Sequence, residues 1–575
     1  MEEKKLNKVI KSNIRLKSWL EFAVVCLAAI LVAAAGSLTR VRIDLTEDHR
    51  YSLSEQTKKI VGSLKEDVYI QVYLDGDMPV QLKKLRRSVR ELLDEFRLAS
   101  HRRIGYEFIN PSAGSDVRAR EKFQEELISK GLSPVNVMVK EREGGSSQRL
   151  IFPGMMINYN NAGVPVNFLK NNPALSPEVN LLHSAEGLEY ELIKTISTLT
   201  ADTVYKVAFI EGHGEVPEIE TADLMLTLAK YFTVDRGNIG GRPGALDRYA
   251  AIIVAGPLKQ FDEKDLFVID QYIMKGGRVL WLYEEVDVNA DSLAYGETVA
   301  LYRPSGLAEA LFKYGVRVNP VLVQDLECQI IPMKVVTGGT QQQIVPVPWV
   351  WYPLLVPSPS HPVTRNLNRV AGKFVSYIDT VGRDTGVTKS VLLTTGRRSR
   401  TVTPPIAISL KDVDRMPGES LFTRQNLPVA VLLSGKFRSA FRNLPVNNMA
   451  GSADYQFLAE SKPTKMIVIA DRDIIRNEVR RTGAAEVPLP LGYDRYTMQT
   501  FGNSYFLVNC INYLVDDNGL MELRSREIKL RLLDKKLIAE KSTFIKIINS
   551  AGPVFIVILA GILYSLLRKK LYIRK

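Results

Sequence analysis

Two long apolar runs, one near each end of the 575-residue chain, constrain its fold more than any other feature. The first, residues 19–38, reads WLEFAVVCLAAILVAAAGSL and carries one charged residue, Glu21, near its start. Twenty residues of α-helix span about 30 Å, the thickness of the hydrocarbon core of a bilayer. The second run, residues 547–567, reads IINSAGPVFIVILAGILYSLL and has no charge. We therefore predict a transmembrane helix at each position.

The first run has an alternative interpretation as a cleaved signal peptide, because Ala33–Gly36 offers small residues for cleavage. The run is longer than a typical signal core, which favours an uncleaved anchor. For the second run the alternative is a buried core helix. A stretch that is apolar on all sides and ends in a basic tail favours a membrane span instead.

Most of the net charge of +13 lies beside these runs. Residues 1–18 have a balance of +4 and residues 568–575 a balance of +5, which leaves +4 for the whole region between them. This distribution fits anionic lipid headgroups better than a nucleic-acid groove. We expect a lipid membrane as a partner and no nucleic acid.

The basic flanks also predict the orientation. Six Lys or Arg precede the first run and four follow it within twenty residues, while four precede the second within fifteen residues and five follow it. The positive-inside rule then places both short tails in the cytoplasm of an inner-membrane protein. The main body, about residues 39–546, would lie in the periplasm.

The first part of the body, residues 44–200, has the β-α-β-α-β-β order of a thioredoxin-like domain. After its first strand, 68–74, the loop reads Asp75-Gly76-Asp77-Met78, where a redox-active member would carry CxxC. Without thiols in this loop, disulfide exchange is excluded. A cis Ser133–Pro134 peptide bond would be the local signature of this fold.

The second part, residues 204–500, alternates strands and helices and predicts a doubly wound α/β sheet. The run 251–257 is wholly apolar, as in a buried parallel strand. Asp262 caps the next helix, and Gly276 and Gly277 end it. The order over 204–285 resembles the class I glutamine amidotransferase fold, but the position of its Cys nucleophile reads Leu-Tyr-Glu-Glu at 282–285. We therefore expect no enzyme activity.

A third part, residues 502–546, is predicted to be a helical juxtamembrane segment. Its apolar residues keep helical spacing and lead into the second span: Leu523, Leu530, Leu533, Leu537 and Phe544.

The loop Glu211-Gly212-His213-Gly214-Glu215 follows a predicted strand and offers the strongest ligand candidate. Its glycines, with His213 and Glu215, could bind a phosphate or a metal. The alternative is a tight turn in which Gly supplies a positive φ. The five histidines are scattered singly, so we expect no metal or other cofactor.

The stretch 345–363 contains six prolines together with Trp349, Trp351 and Tyr352. Proline fixes an extended backbone, so these rings could form a docking strip for a partner or a glycan. The alternative is an ordered segment that buries both indoles, because Trp is costly to expose.

The three cysteines show no metal or CxxC spacing. Cys26 lies in the first apolar run. A disulfide between Cys328 and Cys510 is left open.

Several motifs carry a family resemblance over nearly the whole chain. They read DLTEDHRYSLSEQT from residue 44, EFINP from 107, IEGHGE from 210, AGPLKQFDEKDLFVIDQYIMKGGRVLWLYE from 255, PWVWYPLL from 348, SHPVTRNL from 360 and FGNSYFLVNCINYLVDDNGLMELRSREIKLRLLDK from 501. The sequence resembles the GldG family, the gliding-motility-associated ABC transporter auxiliary proteins of Bacteroidota. The resemblance implies a substrate-binding type of subunit that works with a membrane permease and a cytoplasmic ATPase. It also implies a middle domain shared with non-enzymatic eukaryotic ciliary transport proteins, and it supplies no catalytic residues.

The leading hypothesis is thus a non-catalytic auxiliary subunit of an ABC transporter, with a homo-oligomer inside the complex left open. One alternative is a membrane-anchored hydrolase, which needs Glu211, His213 and Glu284 to converge in a cleft. Another is a periplasmic scaffold that binds glycan through Trp349 and Trp351.

Overall fold

The computed structural model describes residues 19–20, 22–31, 52–113, 116–140, 146–160, 162–169, 176–201, 203–337, 341–382, 386–415, 417–445, 456–483, 485–525 and 541–572. These residues form a mixed α/β protein. The chain divides into two compact units, Met1–Arg526 and Glu527–Lys575.

The first part of the larger unit alternates helices and strands, as predicted. Its elements in chain order are α1 (Phe22–Leu31), α2 (Glu55–Gly62), β1 (Val68–Val72), α3 (Val80–Ala99), β2 (Ile104–Phe108), α4 (Val117–Ser129), β3 (Val135–Lys140), β4 (Ser146–Ile151), β5 (Gly154–Tyr159), β6 (Ala162–Asn167), α5 (Pro177–Glu186) and α6 (Leu188–Leu199).

A four-stranded sheet with the order β2-β1-β5-β6 organises this part. Strand β1 is parallel to β2 and antiparallel to β5, and β6 is antiparallel to β5. Strands β3 and β4 pair with each other in a separate hairpin. Strands β4 and β5 are separated at Phe152-Pro153, because proline cannot donate to a strand ladder.

The predicted cis bond at Ser133–Pro134 is wrong, because the cis peptide bond among the described residues is Pro404–Pro405. Pro134 precedes β3, which belongs to the separate hairpin and not to the four-stranded sheet. The position therefore lacks the sheet environment on which the prediction depended.

The second part of the larger unit contains most of the strands. Its elements are β7 (Lys206–Glu211), α7 (Glu218–Leu228), β8 (Thr233–Asn238), β9 (Ala251–Ala255), α8 (Glu263–Met274), β10 (Val279–Leu282), β11 (Val286–Val288), β12 (Glu297–Tyr302), α9 (Leu307–Tyr314), β13 (Val316–Val318), β14 (Leu322–Asp325), β15 (Cys328–Thr337), β16 (Gln341–Pro357), β17 (Val370–Ala371), β18 (Ile378–Thr380), β19 (Val387–Thr394), β20 (Ser399–Val402), β21 (Ile406–Ser409), β22 (Pro428–Gly435), β23 (Thr464–Ile469), β24 (Val479–Thr482), β25 (Ala485–Pro488), β26 (Tyr493–Asp494), β27 (Gln499–Thr500) and α10 (Asn503–Val515).

The large sheet has the order β15-β16-β19-β22-β23-β10-β9-β7-β8, with β17 attached to β16. The strands from β23 to β8 are parallel to one another. From β15 to β22 the pairing is antiparallel, and β22 meets β23 antiparallel. The predicted doubly wound sheet thus describes one half of the observed sheet. Strands β13, β14, β18 and β20 lie outside it, in the small pairs β13-β18 and β14-β20.

Both faces of the parallel half are buried, which explains the apolar runs of its strands. Along β7, Val207 and Phe209 pack in one core, with residues of α7 and α10. Ala208 and Ile210 pack in the other, with residues of α8 and α9. This alternation follows the two-residue period of a strand. The parallel half is therefore a three-layer arrangement.

Helix α8 begins and ends where the sequence predicts. The side chain of Asp262 accepts a hydrogen bond from the Lys264 amide at 3.3 Å. After the helix, Gly276 has φ +102°, a conformation that L side chains rarely adopt.

Helix α10 differs from the predicted juxtamembrane segment, because it packs into the core of the large sheet through Phe506, Leu507 and Ile511. Of the predicted apolar stripe, Leu530, Leu533 and Leu537 lie outside the described residues. The smaller unit contains one described helix, α11 (Ser542–Tyr572).

Among the described residues, one helix is long and apolar enough to cross a membrane, the segment Ser542–Leu567 of α11. Near the other end, α1 is a shorter apolar helix, and residues 32–38 of the predicted span lie outside the described residues. The first transmembrane helix therefore stays a prediction. Cys328 and Cys510 are free thiols, so the structure does not form the disulfide that the sequence leaves open.

Candidate functional site

The carboxyl ends of the parallel strands bring together the charged loops of the second part. Strand β7 lies between β8 and β9, so the direction in which consecutive strands are added reverses beside it. In open α/β sheets, ligands bind at such a switch point, outside the carboxyl ends of the strands. We call the loops after β7, β9, β10 and β23 the carboxyl edge.

His213 fills the switch point. Its Nδ1 lies 3.1 Å from Glu215 Oε1, and its Nε2 lies 3.1 Å from Asp265 Oδ2 on α8. The imidazole stacks on Phe261 with ring centroids 3.7 Å apart. The Glu215 carboxylate also accepts a hydrogen bond from the His213 amide at 2.7 Å. Both ring nitrogens thus face carboxylates of the chain itself.

The backbone of His213 joins two loops of the edge. Its carbonyl accepts hydrogen bonds from the amides of Leu258 and Lys259, at 3.0 and 2.7 Å. The flanking Gly212 and Gly214 have φ values of +118° and +74°. The loop therefore has the tight-turn geometry that the sequence offers as the alternative to a ligand site.

Glu211 points toward a different partner. Arg236 on β8 forms an ion pair with Glu211, and it also donates to Thr221 Oγ1 at 2.9 Å and to the Val216 carbonyl at 2.5 Å. Arg236 therefore connects β8 to the start of α7. It pairs with Glu211, whereas His213 pairs with Glu215 and Asp265.

Glu284, after β10, lies on the far side of the edge. Its Oε2 accepts a hydrogen bond from the Arg472 amide at 3.4 Å, and its Oε1 lies 3.9 Å from the Arg472 guanidinium. Burial raises the pKa of Glu284, the charge of Asp473 adds to this effect, and Arg472 opposes it. Gly256 makes this approach of Arg472 feasible, because a Cβ at that position would lie 2.5 Å from the Arg472 Cβ.

The loop after β23 adds a second buried acid. Asp471 is fully buried and accepts hydrogen bonds from the amides of Lys373 and Asp473, at 3.1 and 2.7 Å. Burial, followed by the charge of Asp473, raises the pKa of Asp471 to about 8. Arg476 bridges Asp473 and Glu220, at 2.9 and 2.7 Å. Arg476 thus connects the loop after β23 to helix α7.

The structure does not bring together the three residues that a hydrolase would need. Glu211 pairs with Arg236, His213 with Glu215 and Asp265, and Glu284 with Arg472. Within the described ranges, no group of three or more His, Cys, Asp and Glu side chains has an arrangement that could hold a metal.

The aromatic strip of β16 is part of a core. Trp349 and Trp351 are only 2% and 3% exposed and pack with Phe374, Ile408 and neighbouring apolar residues. Tyr352 is half-buried, and its ring meets Phe374 edge-on at 5.2 Å. The two indoles are therefore not available as a docking strip. The structure shows the alternative interpretation, an ordered segment that buries both of them.

Asp265, Asp471 and Arg472 take part in the edge but are absent from the sequence-based candidates. Asp471 and Arg472 follow directly after an apolar strand, which is a signal that could have singled them out. Asp265 gives no such signal, because it lies in the first turn of α8 like an ordinary helix-capping acid.

The comparisons with known proteins add to this geometry. Residues 47–158 match a domain of unknown function, DUF7088. Eight chains of known structure match, among them the mmIFT52 N-terminal domain, with 13% identity over 54% of this chain and 96% of that chain. Its TM-score of 0.30 is too low to support an argument. No curated protein matches.

Residues 205–510, just over half of the chain, match the family model ABC_transp_aux, described as an ABC-type uncharacterized transport system. The match includes the whole carboxyl edge and both faces of the large sheet. The chain belongs to this family of ABC-type transport system proteins.

Proposed function

We propose that this chain is a non-catalytic auxiliary subunit, of the substrate-binding type, in an ABC transporter complex with a membrane permease and a cytoplasmic ATPase. The family match over 205–510 carries the proposal. The carboxyl edge supports the proposal, because its candidate catalytic side chains are paired with other side chains of the same protein. His213 is an example, because both ring nitrogens face carboxylates at 3.1 Å.

The proposal includes a membrane arrangement. Helix α11 would bind the complex within the bilayer, together with a second span near residues 19–38. Both termini would lie in the cytoplasm and the body in the periplasm. The basic tail 568–575 supports this orientation.

It also includes two fold relationships. The order β2-β1-β5-β6, with β5 antiparallel to β1, supports a thioredoxin-like first domain. The order β8-β7-β9-β10-β23 of the parallel half supports an amidotransferase-like second domain. A GldG-type role in gliding motility and assembly as a homo-oligomer within the complex are further parts of the proposal.

Affinity purification in a mild detergent tests the partnership. The full chain should bring down a permease and an ATPase. A variant that ends at Arg526 and thus lacks the C-terminal helix serves as the matched control and should lose the permease. Homogeneous full-length protein that never carries either subunit would contradict the proposal.

Reporter insertion tests the orientation. A reporter active only in the cytoplasm should be active after Lys575 and silent when inserted at Gly483. Gly483 lies between the paired strands β24 and β25, where a Cβ would meet nothing within 4 Å, so the insertion site is open. The opposite pattern would overturn the orientation.

A further inference from the structure

Helix α3 carries a concentrated positive charge that the proposed function does not use. Lys83, Arg86, Arg87 and Arg90 follow the spacing i, i+3, i+4, i+7, so they share one face of the helix. Together with Gly76, in the loop after β1, they line a cavity. We call this cavity the basic pocket. It lies in the first domain and is separate from the carboxyl edge of the large sheet.

Two carboxylates, those of Asp75 and Asp77, form ion pairs with cations of the basic pocket. Asp75 lies 2.9 Å from Arg86 Nη2. Asp77 lies 3.6 Å from Lys83 Nζ and 3.7 Å from Arg149 Nη1, so one carboxylate serves two cations. In the part of the chain that the structure describes, Arg87 and Arg90 have no ion pair. Like charges at this helical spacing repel each other, and an anion in the pocket would relieve that repulsion.

Two guanidiniums of the pocket are held in place before any ligand arrives. The Arg86 and Arg90 groups lie over the same Phe108 ring, 5.0 and 4.9 Å from its centroid. Phe108 is fixed at the end of β2, opposite Val72 of β1. Arg86 is also held by Asp75, and its buried Nε lacks a hydrogen-bond acceptor among the described residues. Pre-positioned donors lose less conformational freedom on binding.

The backbone around the pocket also favours an anion. Helix α3 begins at Val80, one turn before Lys83, and has no acidic residue in its first turn. The positive end of the helix dipole is therefore not neutralised by the helix itself. Gly76 has φ +99°, and a Cβ there would lie 2.8 Å from the Asn110 side chain, so this position in the pocket lining requires glycine.

We propose that the basic pocket binds a phosphate group carrying two or more negative charges. Guanidinium groups pair with phosphate oxygens through two parallel hydrogen bonds, and the compact Lys83 ammonium adds a point charge. The same chemistry occurs in a free phosphorylated metabolite and in a phospholipid headgroup. The proposal concerns a ligand of the first domain and is independent of the transporter partnership.

Isothermal titration calorimetry on the full chain in an uncharged detergent tests the site. Inorganic pyrophosphate and soluble dihexanoyl phosphatidic acid are the probes, in 150 mM NaCl so that diffuse surface attraction is screened. We expect saturable binding of at least one probe at one site per chain. Tighter binding of pyrophosphate identifies a free phosphate ligand, and tighter binding of the lipid identifies a headgroup.

Arg87→Gln and Arg90→Gln should each lower the affinity about tenfold or more, since each removes a charged donor from the pocket. Arg87 is exposed and has no ion pair in the described chain, so its replacement leaves the fold intact. Lys84→Gln and Arg97→Gln are matched controls, because they remove the same charge from α3 outside the pocket, and they should change the affinity less than twofold.

Two results would overturn the inference. One is the absence of saturable binding to either probe by the wild-type chain. The other is an equal loss of affinity in the pocket variants and the control variants, which would show general attraction to a basic helix instead of a site.

Discussion

Replacing Asp471 by Asn should flatten the pH dependence of folding stability between pH 6.5 and 8. Burial and the charge of Asp473 raise the pKa of Asp471 to about 8. In the unfolded chain an aspartate titrates near its ordinary value of about 3.9. Through most of this pH range the native protein therefore holds a proton that the unfolded chain has already released, and near pH 8 it holds that proton about half of the time.

The sign and size of the effect follow from this difference. Because the native state binds more protons, raising the pH favours unfolding, by about 1.4 kcal/mol per pH unit. From pH 6.5 to 8 the wild-type protein should lose about 1–2 kcal/mol of stability through Asp471 alone, since the slope falls by half as the pH approaches the native pKa. Asn has no proton to release, so Asp471→Asn should lack this contribution. At pH 6.5 the variant should be less stable than the wild type by about 1 kcal/mol, because Asn cannot accept both backbone hydrogen bonds. This difference should reverse towards pH 8, where the wild type has lost the contribution of Asp471.

The range from pH 6.5 to 8 lies above the pH values at which His361 changes the free energy of unfolding in the opposite direction. Burial lowers the pKa of His361 to about 4, and an unfolded histidine titrates near 6.5. His361 therefore adds stability as the pH rises from about 4 to 6.5 and contributes nothing further above that. Glu284, whose pKa is also raised by burial, acts in the same direction as Asp471. Glu284 is present in both proteins, but the charge of Asp471 contributes to its raised pKa, so the difference between the proteins reports Asp471 together with its coupling to Glu284.

Urea unfolding of the full chain in mild detergent, followed by tryptophan fluorescence at pH 6.5, 7, 7.5 and 8, measures the effect. The buried Trp281, Trp349 and Trp351 report loss of the core. Asp291→Asn, at an exposed aspartate, is the matched control and should keep the wild-type slope. Equal slopes for the wild type and Asp471→Asn would refute the reasoning.

Three further substitutions test the packing of the second domain by thermal or urea unfolding. His213→Ala should cost about 1–3 kcal/mol, because it removes the buried imidazole that faces Glu215 and Asp265; a loss below 1 kcal/mol would contradict the pairing. Gly256→Ala should destabilise more than Gly483→Ala, although both glycines have positive φ, because only the first Cβ would meet Arg472, at 2.5 Å; equal losses would exclude the contact as the cause. Trp349→Ala should cost about 3–5 kcal/mol as a core deletion, and a neutral result would restore the docking-strip hypothesis.

The sequence alone identified several elements because their signals are local. The wholly apolar run at 251–257 became the buried strand β9, and Asp262 became the cap of α8. The apolar run at 547–567 lies within the helix that is long enough to cross a membrane. Hydrophobic period, capping residues and run length depend on neighbours a few residues away, so they can be read without knowing the fold.

The identity of the site residues was only partly predictable. The EGHGE loop is where the sequence predicts a turn after a strand, but its chemistry depends on Asp265, more than fifty residues further along the chain. Likewise, nothing near Trp349 tells whether its ring faces solvent or the core formed with Phe374 and Ile408.

Tertiary structure alone decided the arrangement of the large sheet. The order β8-β7-β9-β10-β23 places the loops after β10 and β23 side by side, although nearly two hundred residues separate them. That proximity buries Asp471 and sets Glu284 against Arg472. Strand order and burial arise from contacts between distant parts of the chain, and these contacts depend on how the apolar faces of whole elements fit together. A local pattern specifies that a face is apolar, but not which other face will cover it.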